Sequence, residues 1–248
     1  ALVEHPGVGV ISFTGSTQTG RLIAGRCGQL LKRVSCELGG KNAIVVMDDA
    51  SIDLAVKGAL WSAFGTAGQR CTAASRLIVQ RGVKRKFRDA LVDQTRALKM
   101  GAGADPETQI GPVVNRAQLD RIDTYVQIGK SEGVKVLTGG HVLDSGDFAK
   151  GAFYAPTVFD EMTLDMRVAK EEIFGPVTGI VEVDSLEDAL AAANSTRYGR
   201  ARARESLEGV CAVRAIQELE AGLVYINLPT SGAEIQLPFG GVKDTSNG

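Results

Sequence analysis

The sequence predicts an α/β fold with a largely parallel sheet. Short apolar runs that suit buried strands alternate with longer segments of helical periodicity. Residues 8–31 read as a strand, a glycine-bounded loop and a helix, the form of a Rossmann-type nucleotide-binding unit. Hydrophobic residues make up 44% and charged residues 23%, which are ordinary values for a soluble globular protein. Strands that alternate with helices favour parallel pairing, because each helix returns the chain to the same end of the sheet.

The elements can be placed in chain order from their apolar periodicity. A short buried strand is predicted at residues 8–13, and a helix follows the glycine-bounded loop. Later strands are predicted at residues 43–47, 76–80, 134–137, 157–159, 178–183 and 223–227. Later helices are predicted at residues 52–64, 83–99, 116–130 and 185–194, with a helix end at 216–220. Residues 101–115 and 238–243 are predicted as loops.

The composition argues against several classes of function. The net charge of −1 points neither to nucleic acid nor to an acidic membrane. No apolar run reaches the ~18 residues of a membrane-spanning helix, and residues 1–6 lack the pattern of a signal peptide. The four cysteines form no CxxC pair, so neither a zinc site nor a disulfide framework is expected. Free thiols suit a reducing cytosol, which predicts a cytoplasmic protein.

One cysteine lies in a segment suited to catalysis. Cys71 ends the run Gly-Thr-Ala-Gly-Gln-Arg-Cys, which follows a predicted helix end. Its small neighbours would allow backbone N–H groups to approach a reacting carbonyl, and a thiolate is reactive when its pKa is lowered or a base is close. The alternative, a buried small hydrophobe, suits Cys27, Cys36 and Cys211 better. Cys36 is the nearest rival, because it adjoins a glutamate.

Glu37 is the candidate general base. It opens the run Glu-Leu-Gly-Gly-Lys, in which Gly39 and Gly40 would permit the close backbone approach that a cofactor or substrate requires. A carboxylate whose pKa is raised by apolar surroundings can deprotonate the water that hydrolyses a thioester. The alternative is a surface glutamate at the end of a strand, which is the ordinary setting of a single glutamate.

A glycine-bounded loop precedes the first helix. In residues 15–20, Gly-Ser-Thr-Gln-Thr-Gly, backbone N–H groups and the helix dipole would favour a phosphate, and Ser16 and Thr17 add hydroxyl donors. The same residues also fit a tight turn with an N-cap. Residues 171–177, Glu-Glu-Ile-Phe-Gly-Pro-Val, form a charged turn with one aromatic side chain. A dinucleotide loop, a carboxylate and a thiol, in this order, are the parts of an oxidoreductase that works through a covalent thioester.

These motifs, in this order, resemble the NAD(P)-dependent aldehyde dehydrogenase superfamily from about Val8 onward. The resemblance implies a catalytic domain with a largely parallel sheet at residues 39–248, truncated at its C-terminus. It implies that residues 1–38 are the last strand–helix piece of a Rossmann-type cofactor domain. The implied reaction oxidises an aldehyde to a carboxylic acid with NAD or NADP, in a parent protein that forms a homo-oligomer. Residues 227–237, which would shape specificity, are most similar to semialdehyde and pyrroline-carboxylate dehydrogenases.

The resemblance also implies roles for single residues. Cys71 would attack the aldehyde carbon, its own backbone N–H would help to hold the oxyanion, and Glu37 would activate water. Arg121 stands where lysine is common, and Phe239 would line the substrate tunnel. The implied cofactor-binding positions are Gly15, Ser16, Thr17, Gly20, Leu38, Gln118, Arg121, Glu172 and Phe174.

Three departures from the family pattern bear on activity. The upstream cofactor half is missing, with the oxyanion-hole asparagine, so a rate loss of about 10²–10³ is expected, and the residues that distinguish NAD from NADP are missing too. Residues 200–213 replace a small apolar strand by alternating Arg and Ala and then return in register, which indicates two compensating frameshifts or, alternatively, a basic edge strand. The sequence also stops before the family's C-terminal strand, and Asp244 stands where a small residue is usual.

Two other functions remain open from the sequence. A CoA-acylating relative would release the thioester to CoA instead of water, although it would have less need of Glu37. A catalytically incompetent fragment would bind NAD poorly and turn over aldehyde negligibly. The flank from which cofactor-domain strands are missing would then expose apolar residues and favour association.

Overall fold

The computed structural model describes residues 1–206, 209–232 and 235–247, with the backbone alone at 209–211. Its strands are β1 (Val10–Thr14), β2 (Arg33–Glu37), β3 (Asn42–Val46), β4 (Ala74–Gln80), β5 (Lys135–Thr138), β6 (Val142–Leu143), β7 (Phe153–Tyr154), β8 (Thr157–Asp160), β9 (Val177–Val183), β10 (Tyr198–Gly199), β11 (Ala201–Glu205), β12 (Leu223–Ile226) and β13 (Val242–Lys243). Its helices are α1 (Thr17–Gln29), α2 (Ile52–Phe64), α3 (Arg81–Arg96), α4 (Arg116–Glu132), α5 (Arg167–Lys170), α6 (Leu186–Asn194) and α7 (Gly209–Glu218).

The main sheet confirms the predicted α/β architecture. Seven strands lie in the order β12–β11–β3–β4–β9–β8–β5, and every neighbouring pair is parallel except β5 with β8. Helix α2 connects β3 to β4 in one direction across the sheet, whereas α6 lies on the return path from β9 to β11. Right-handed crossovers in opposite directions place these helices on opposite faces, so the central strands are covered on both sides.

The helix ends follow local sequence signals. Asn115 caps α4 by accepting from the backbone N–H of Gln118 at 2.9 Å, and α4 ends at Gly133, whose φ of 99° suits glycine. Ser185 caps α6 by accepting from the N–H of Asp188 at 3.1 Å. The strand β3 is buried at all five positions, as expected for an apolar run in the middle of a parallel sheet.

A second, two-stranded sheet lies apart from the main one. It pairs β1 with β2 in parallel, and α1 connects them. The expectation that the first strand is buried is wrong: Val10 is 62% exposed, because β1 pairs only with β2 among the described strands. Leu22 and Leu31 of this unit are also exposed, as expected for an apolar flank. The boundary at residue 38 stays a prediction.

The strand β11 corrects a second expectation. It lies between β12 and β3, so it is an interior strand and not the basic edge strand considered above. Arg200, Arg202 and Arg204 are each about 1% exposed. Arg202 remains inside because its guanidinium donates to backbone carbonyls at the C-terminal end of α6 and beyond, including Ala193 at 2.9 Å and Tyr198 at 3.1 Å. The frameshift hypothesis stays a prediction, and the side chains of 207–211 lie outside the described residues.

Two smaller differences concern element bounds. Residues 238–243, predicted as a loop, include the short strand β13, which pairs antiparallel with β10. The strand β2 was not predicted, because its sequence, Arg-Val-Ser-Cys-Glu, contains no apolar run. Within the described part of the chain, no helix has both the length and the apolar character needed to cross a membrane.

Candidate active site

A cavity of about 660 Å³ opens where the loop after β1, the end of β2, the loop after α2 and residues 171–177 meet. Thr17 lines a neighbouring cavity of about 470 Å³, which shares Ser16, Arg121 and Glu172 with the first. Ten of the predicted site residues line the larger cavity: Gly15, Ser16, Glu37, Leu38, Cys71, Gln118, Arg121, Glu172, Phe174 and Phe239. Residues that are distant in sequence are therefore brought to one place.

Gly20, the remaining predicted cofactor residue, has a packing role. It is buried on α1, and a Cβ at this position would lie 2.3 Å from Cδ2 of Leu38. Glycine here therefore allows α1 to approach the segment that follows β2. This contact places Leu38 at the wall of the cavity.

The loop that carries Cys71 is shaped by backbone strain. It begins after α2 with a 3-10 turn, Gly65–Gly68, in which Thr66 and Ala67 have φ values of 55° and 53°. Gly68 follows at +67°, and a Cβ there would lie 2.1 Å from the carbonyl oxygen of Gly175. The loop is thus pressed against residues 171–177, the other predicted motif.

Asn42 holds this loop in place through side-chain hydrogen bonds. The sequence analysis did not identify this residue. Its Nδ2 donates to the carbonyl oxygens of Cys71 at 2.8 Å and Ala73 at 2.9 Å. Its Oδ1 accepts from the backbone N–H of Ala201 at 2.9 Å. The only sequence signal was an asparagine at the start of a buried apolar strand, where a polar side chain needs partners.

The thiol of Cys71 is the most accessible of the described cysteines. Burial raises its pKa, the nearby charge of Arg200 lowers it, and Glu172 and Glu37 raise it further. The net direction is upward, so the thiolate depends on a base or on added positive charge. Cys36, the rival nucleophile, is 1% exposed, and burial also raises its pKa.

Cys27 is fully buried, in line with the packing role expected for it. The side chain of Cys211 lies outside the described residues.

Glu37, the candidate base, is already engaged by two partners. Its Oε2 forms an ion pair with a guanidinium nitrogen of Arg200, and its Oε1 accepts from the hydroxyl of Ser246 at 2.9 Å. Arg200 also donates to the carbonyl oxygen of Leu38 at 2.9 Å, and its guanidinium carbon lies 5.0 Å from the ring centre of Phe239. The sequence marked Arg200 only as an anomaly, and it now lies directly beside the predicted base.

The glycine pair after β2 makes room for protein groups. Gly40 donates its N–H to Oε1 of Glu172 at 2.9 Å, and a Cβ on Gly39 would lie 2.5 Å from the other oxygen of that carboxylate. A Cβ on Gly40 would lie 2.6 Å from the carbonyl oxygen of Cys71. The close approach predicted for this pair therefore occurs, and the groups that approach are the Glu172 carboxylate and the loop that carries Cys71. Burial raises the pKa of Glu172, against the N–H of Gly40 and the charge of Lys41.

Lys41 is a second residue that sequence reasoning missed. It is 2% exposed, and its Nζ has no hydrogen-bond partner among the described residues. Burial, reinforced by the charge of Arg76, lowers its pKa to about 7, while Glu172 acts in the opposite direction. The side chain can therefore change charge near neutral pH behind the cavity wall.

Two residues of α4 hold residues 171–177 in place. Nε2 of Gln118 donates to the carbonyl oxygens of Ile173 at 3.0 Å and Phe174 at 2.8 Å. Arg121 donates to the carbonyl oxygen of Glu172 at 2.9 Å. Both side chains line the cavity, so they position the motif while they also face the space in front of it.

The start of α1 suits an anionic group. Ser16 caps the helix by accepting from the N–H of Thr19 at 3.2 Å, which confirms the N-cap interpretation. The first turn carries no acidic residue, and Ser16 faces both cavities. The residues thus fit a phosphate group at the helix N-terminus. No cluster of three or more potential metal ligands occurs in the described ranges.

Phe239 and Gly232 line the cavity from the far side. Of residues 227–237, which were expected to shape specificity, 233 and 234 lie outside the described residues. The aromatic ring of Phe239 is partly exposed, so it adds an apolar surface to the cavity that Cys71 also lines.

Comparisons with known proteins place this chain in a family. The model of the aldehyde dehydrogenase family matches residues 1–248. The chain is 38% identical over 246 residues to an alpha-ketoglutaric semialdehyde dehydrogenase of Bacillus subtilis, covering 99% of this chain and 50% of the relative. It is 39% identical over 248 residues to a betaine aldehyde dehydrogenase of Brucella anthropi, covering 100% of this chain and 51% of the relative. The chain thus spans about half the length of the curated relatives it matches.

Solved structures give the same result for the fold. A betaine aldehyde dehydrogenase from Staphylococcus aureus in complex with NAD+ matches with a TM-score of 0.96 at 36% identity, over 99% of this chain and 48% of that one. An NAD-dependent aldehyde dehydrogenase from Sinorhizobium meliloti matches with a TM-score of 0.96 at 34% identity, over 100% of this chain and 48% of that one.

Proposed function

Because this chain belongs to the aldehyde dehydrogenase family, we propose that it is the catalytic part of an enzyme that oxidises an aldehyde to a carboxylic acid with NAD(P)+. The observation that carries the proposal is the shared cavity of Cys71, Glu37 and the loop at residues 15–20. The division into a cofactor-domain piece at 1–38 and a catalytic domain at 39–248 belongs to the same proposal.

The chemistry follows from the side chains in the cavity. The Cys71 sulfur attacks the aldehyde carbon, and the backbone N–H of Cys71 holds the resulting oxyanion. Once hydride has left that carbon, a thioester remains on Cys71. Glu37 takes a proton from water as the water oxygen attacks the thioester, and the carboxylic acid is released. The raised pKa of Cys71 means that the thiol must lose its proton during or before the attack.

A dinucleotide fits the start of α1 and the carboxylate of Glu172. When bound, NAD(P)+ supplies the hydride acceptor. Ser16, Thr17 and the helix N-terminus would bind its phosphates. Glu172 is held by the N–H of Gly40 and would accept from ribose hydroxyls, while Phe174 would pack beside the ring. NAD is supported by relatives whose structures contain NAD+, and NADP stays open.

The substrate class proposed is a small aldehyde, with semialdehydes favoured. Support comes from the relative that is an alpha-ketoglutaric semialdehyde dehydrogenase. Betaine aldehyde is the other class represented among the relatives. We further propose that the parent protein acts in the cytoplasm as a homo-oligomer.

The test is the formation of NADH or NADPH with succinic semialdehyde and with betaine aldehyde, using this chain and its Cys71→Ala variant. NADH formation that is lost in Cys71→Ala supports the dehydrogenase reaction. Covalent labelling of Cys71 without any NADH would instead favour the catalytically incompetent fragment, in line with a chain that spans half of its relatives.

A second candidate is favoured by one observation. Both carboxylate oxygens of Glu37 are engaged, one by Arg200 and the other by Ser246. A water molecule would have to compete with these partners for the carboxylate. A CoA-acylating enzyme would pass the acyl group to a thiol, which needs less help from a carboxylate. Formation of acyl-CoA from aldehyde, NAD+ and CoA, at the expense of free acid, would identify that reaction.

A further inference from the structure

We propose that Arg200 is a positioning residue whose buried guanidinium holds the carboxylate of Glu37 as its counter-ion. As a result, Cys71 is acylated faster than the acyl group is released from it. The proposal rests on the proposed function, because it takes Cys71 as the nucleophile and Glu37 as the carboxylate that shares its cavity. It adds to that function a site that retains its acyl group.

The geometry leaves Arg200 little freedom to move. It is about 1% exposed and lies directly before β11, in the interior of the main sheet. One guanidinium nitrogen pairs with Glu37, and the other donates to the carbonyl oxygens of Leu38 at 2.9 Å and Thr245 at 3.4 Å. The ring of Phe239, 5.0 Å from the guanidinium carbon, covers one side. The cation is therefore fixed by backbone acceptors as well as by the carboxylate.

A general base needs a free carboxylate oxygen, and Arg200 occupies one oxygen of Glu37. Glu37 forms the only ion pair of Arg200 among the described residues. A water molecule would therefore have to displace the guanidinium to reach that oxygen. The second oxygen of Glu37 is held by Ser246 at 2.9 Å, so the carboxylate cannot turn away freely.

The same charge acts in the opposite sense on the nucleophile. Burial raises the pKa of Cys71, and Arg200 is the largest influence that lowers it. Arg200 therefore favours the thiolate that is acylated and disfavours the base that completes release. Glu172 offers no ready substitute, because it accepts from Gly40 at 2.9 Å. The charged and titratable groups that line the cavity are Glu37, Arg70, Cys71, Arg121 and Glu172, with Arg200 beside Glu37. Lys41, behind the cavity wall, interacts with Glu172 and has a pKa of about 7.

An activated ester separates this proposal from the dehydrogenase reaction, since it needs no cofactor. With 4-nitrophenyl acetate, the Cys71 sulfur attacks the carbonyl carbon, the carbon–oxygen bond breaks, and 4-nitrophenolate leaves with the electron pair. Water then adds to the acetyl thioester, the carbon–sulfur bond breaks, acetate is released and the thiol regains its proton. A burst of 4-nitrophenolate reports acylation, and intact-protein mass spectrometry follows the loss of the acetyl group.

For the unmodified chain we expect a burst followed by slow release. The logarithm of the release rate should rise by about one per pH unit between about pH 6.5 and 8.5, because hydroxide replaces the carboxylate as the base. In Arg200→Met, Glu37 is freed, so release should become about 10- to 100-fold faster and nearly independent of pH. Arg200→Lys, which keeps the charge, should retain slow release. Arg202→Met, a control at the next buried arginine, inside β11, should stay within about twofold of the unmodified chain.

The pH dependence of the release rate in the unmodified chain tests the proposal even if Arg200→Met does not fold. Release that is already independent of pH would show Glu37 acting as a base beside Arg200 and would overturn the proposal. Equal release rates in a folded Arg200→Met and the unmodified chain would overturn it too. A burst that persists in Cys71→Ala would overturn both the proposal and the assignment of Cys71 as nucleophile. A different outcome is a burst that depends on Cys71, with slow, hydroxide-dependent release, but no NADH formation from aldehyde. That outcome would contradict only the dehydrogenase reaction.

Discussion

The side-chain amide of Asn42 donates to the backbone carbonyl of Cys71 across 2.8 Å. The same side chain also binds the carbonyl of Ala73 and the N–H of Ala201. Asn42 thus joins the loop that carries Cys71 to two neighbouring strands of the main sheet, β3 and β11. The position of Cys71 depends on this link as much as on its own loop.

Asn42→Ala should lower the free energy of unfolding by roughly 1–3 kcal/mol, because three buried backbone groups lose their partner. Urea denaturation measures the effect. Asn194→Ala is the control, since its amide bonds the carbonyl of Glu218 at an exposed site and its loss should cost less than about 1 kcal/mol. Equal losses in the two variants would contradict a special role for Asn42.

The alkylation of Cys71 should depend steeply on pH. Because burial raises the pKa of this thiol, its reaction with iodoacetamide should be slower at neutral pH than that of a cysteine in an unfolded peptide. The rate should keep rising as the pH passes the ordinary value for a thiol. Peptide mass spectrometry should locate the labelling at Cys71 and not at Cys27 or Cys36, which are buried. A rate that levels off below about pH 8 would show that the pKa is not raised.

Gly68→Ala should destabilise the protein by roughly 2–3 kcal/mol. The added Cβ would meet the carbonyl oxygen of Gly175 at 2.1 Å, at a φ of +67° that disfavours alanine. Gly25→Ala is a matched control inside α1, where a Cβ has open space, and it should raise stability by about 0.5–1 kcal/mol. Thermal unfolding compares the two. Similar melting temperatures for Gly68→Ala and Gly25→Ala would contradict the close contact.

Glu205 should make stability fall as the pH rises. It is buried in β11, and burial raises its pKa from the ordinary value of 4.5 to about 7. The folded state therefore holds a proton that the unfolded state has lost between these values, so stability is lost as the pH rises through this window. Glu205→Gln should gain roughly 1–3 kcal/mol at about pH 8 and almost nothing at about pH 4.5. Urea unfolding at both pH values checks this, and an equal effect at both would contradict the assignment.

Local sequence signals predicted much of the fold. The helix predicted at residues 52–64 matches α2, because an apolar helical pattern ends at a glycine, Gly65. The strands β2 and β11 could not be recognised in the same way. Their sequences, Arg-Val-Ser-Cys-Glu and Ala-Arg-Ala-Arg-Glu, carry no apolar run. Arg202 of β11 is buried because the carbonyl oxygens of Ala193 and Tyr198 accept hydrogen bonds from its guanidinium.

The candidate site was predicted less completely than the fold. Short motifs predicted Cys71 and Glu37 as site residues, and the family resemblance of residues 171–177 added Glu172; all three line one cavity. Asn42, Arg200 and Ser246 reach the site only through tertiary contacts, and nothing in their immediate neighbours indicates this. Gly39 and Gly40 were recognised as sites of close approach, whereas the groups that approach them depend on packing across the molecule.

Residues 245–247 form hydrogen bonds with the end of β2 and the residue that follows it. Leu38 donates its N–H to the carbonyl of Thr245 at 2.7 Å, and Cys36 donates to the side chain of Asn247 at 2.7 Å across 211 positions of sequence. On the ribosome, Glu37 therefore emerges long before the serine that holds it. The entropy cost of such a closure grows only slowly with loop length, but the closure cannot begin until residues 245–247 have been translated. The candidate base therefore reaches its final position more than 200 residues after it is synthesised.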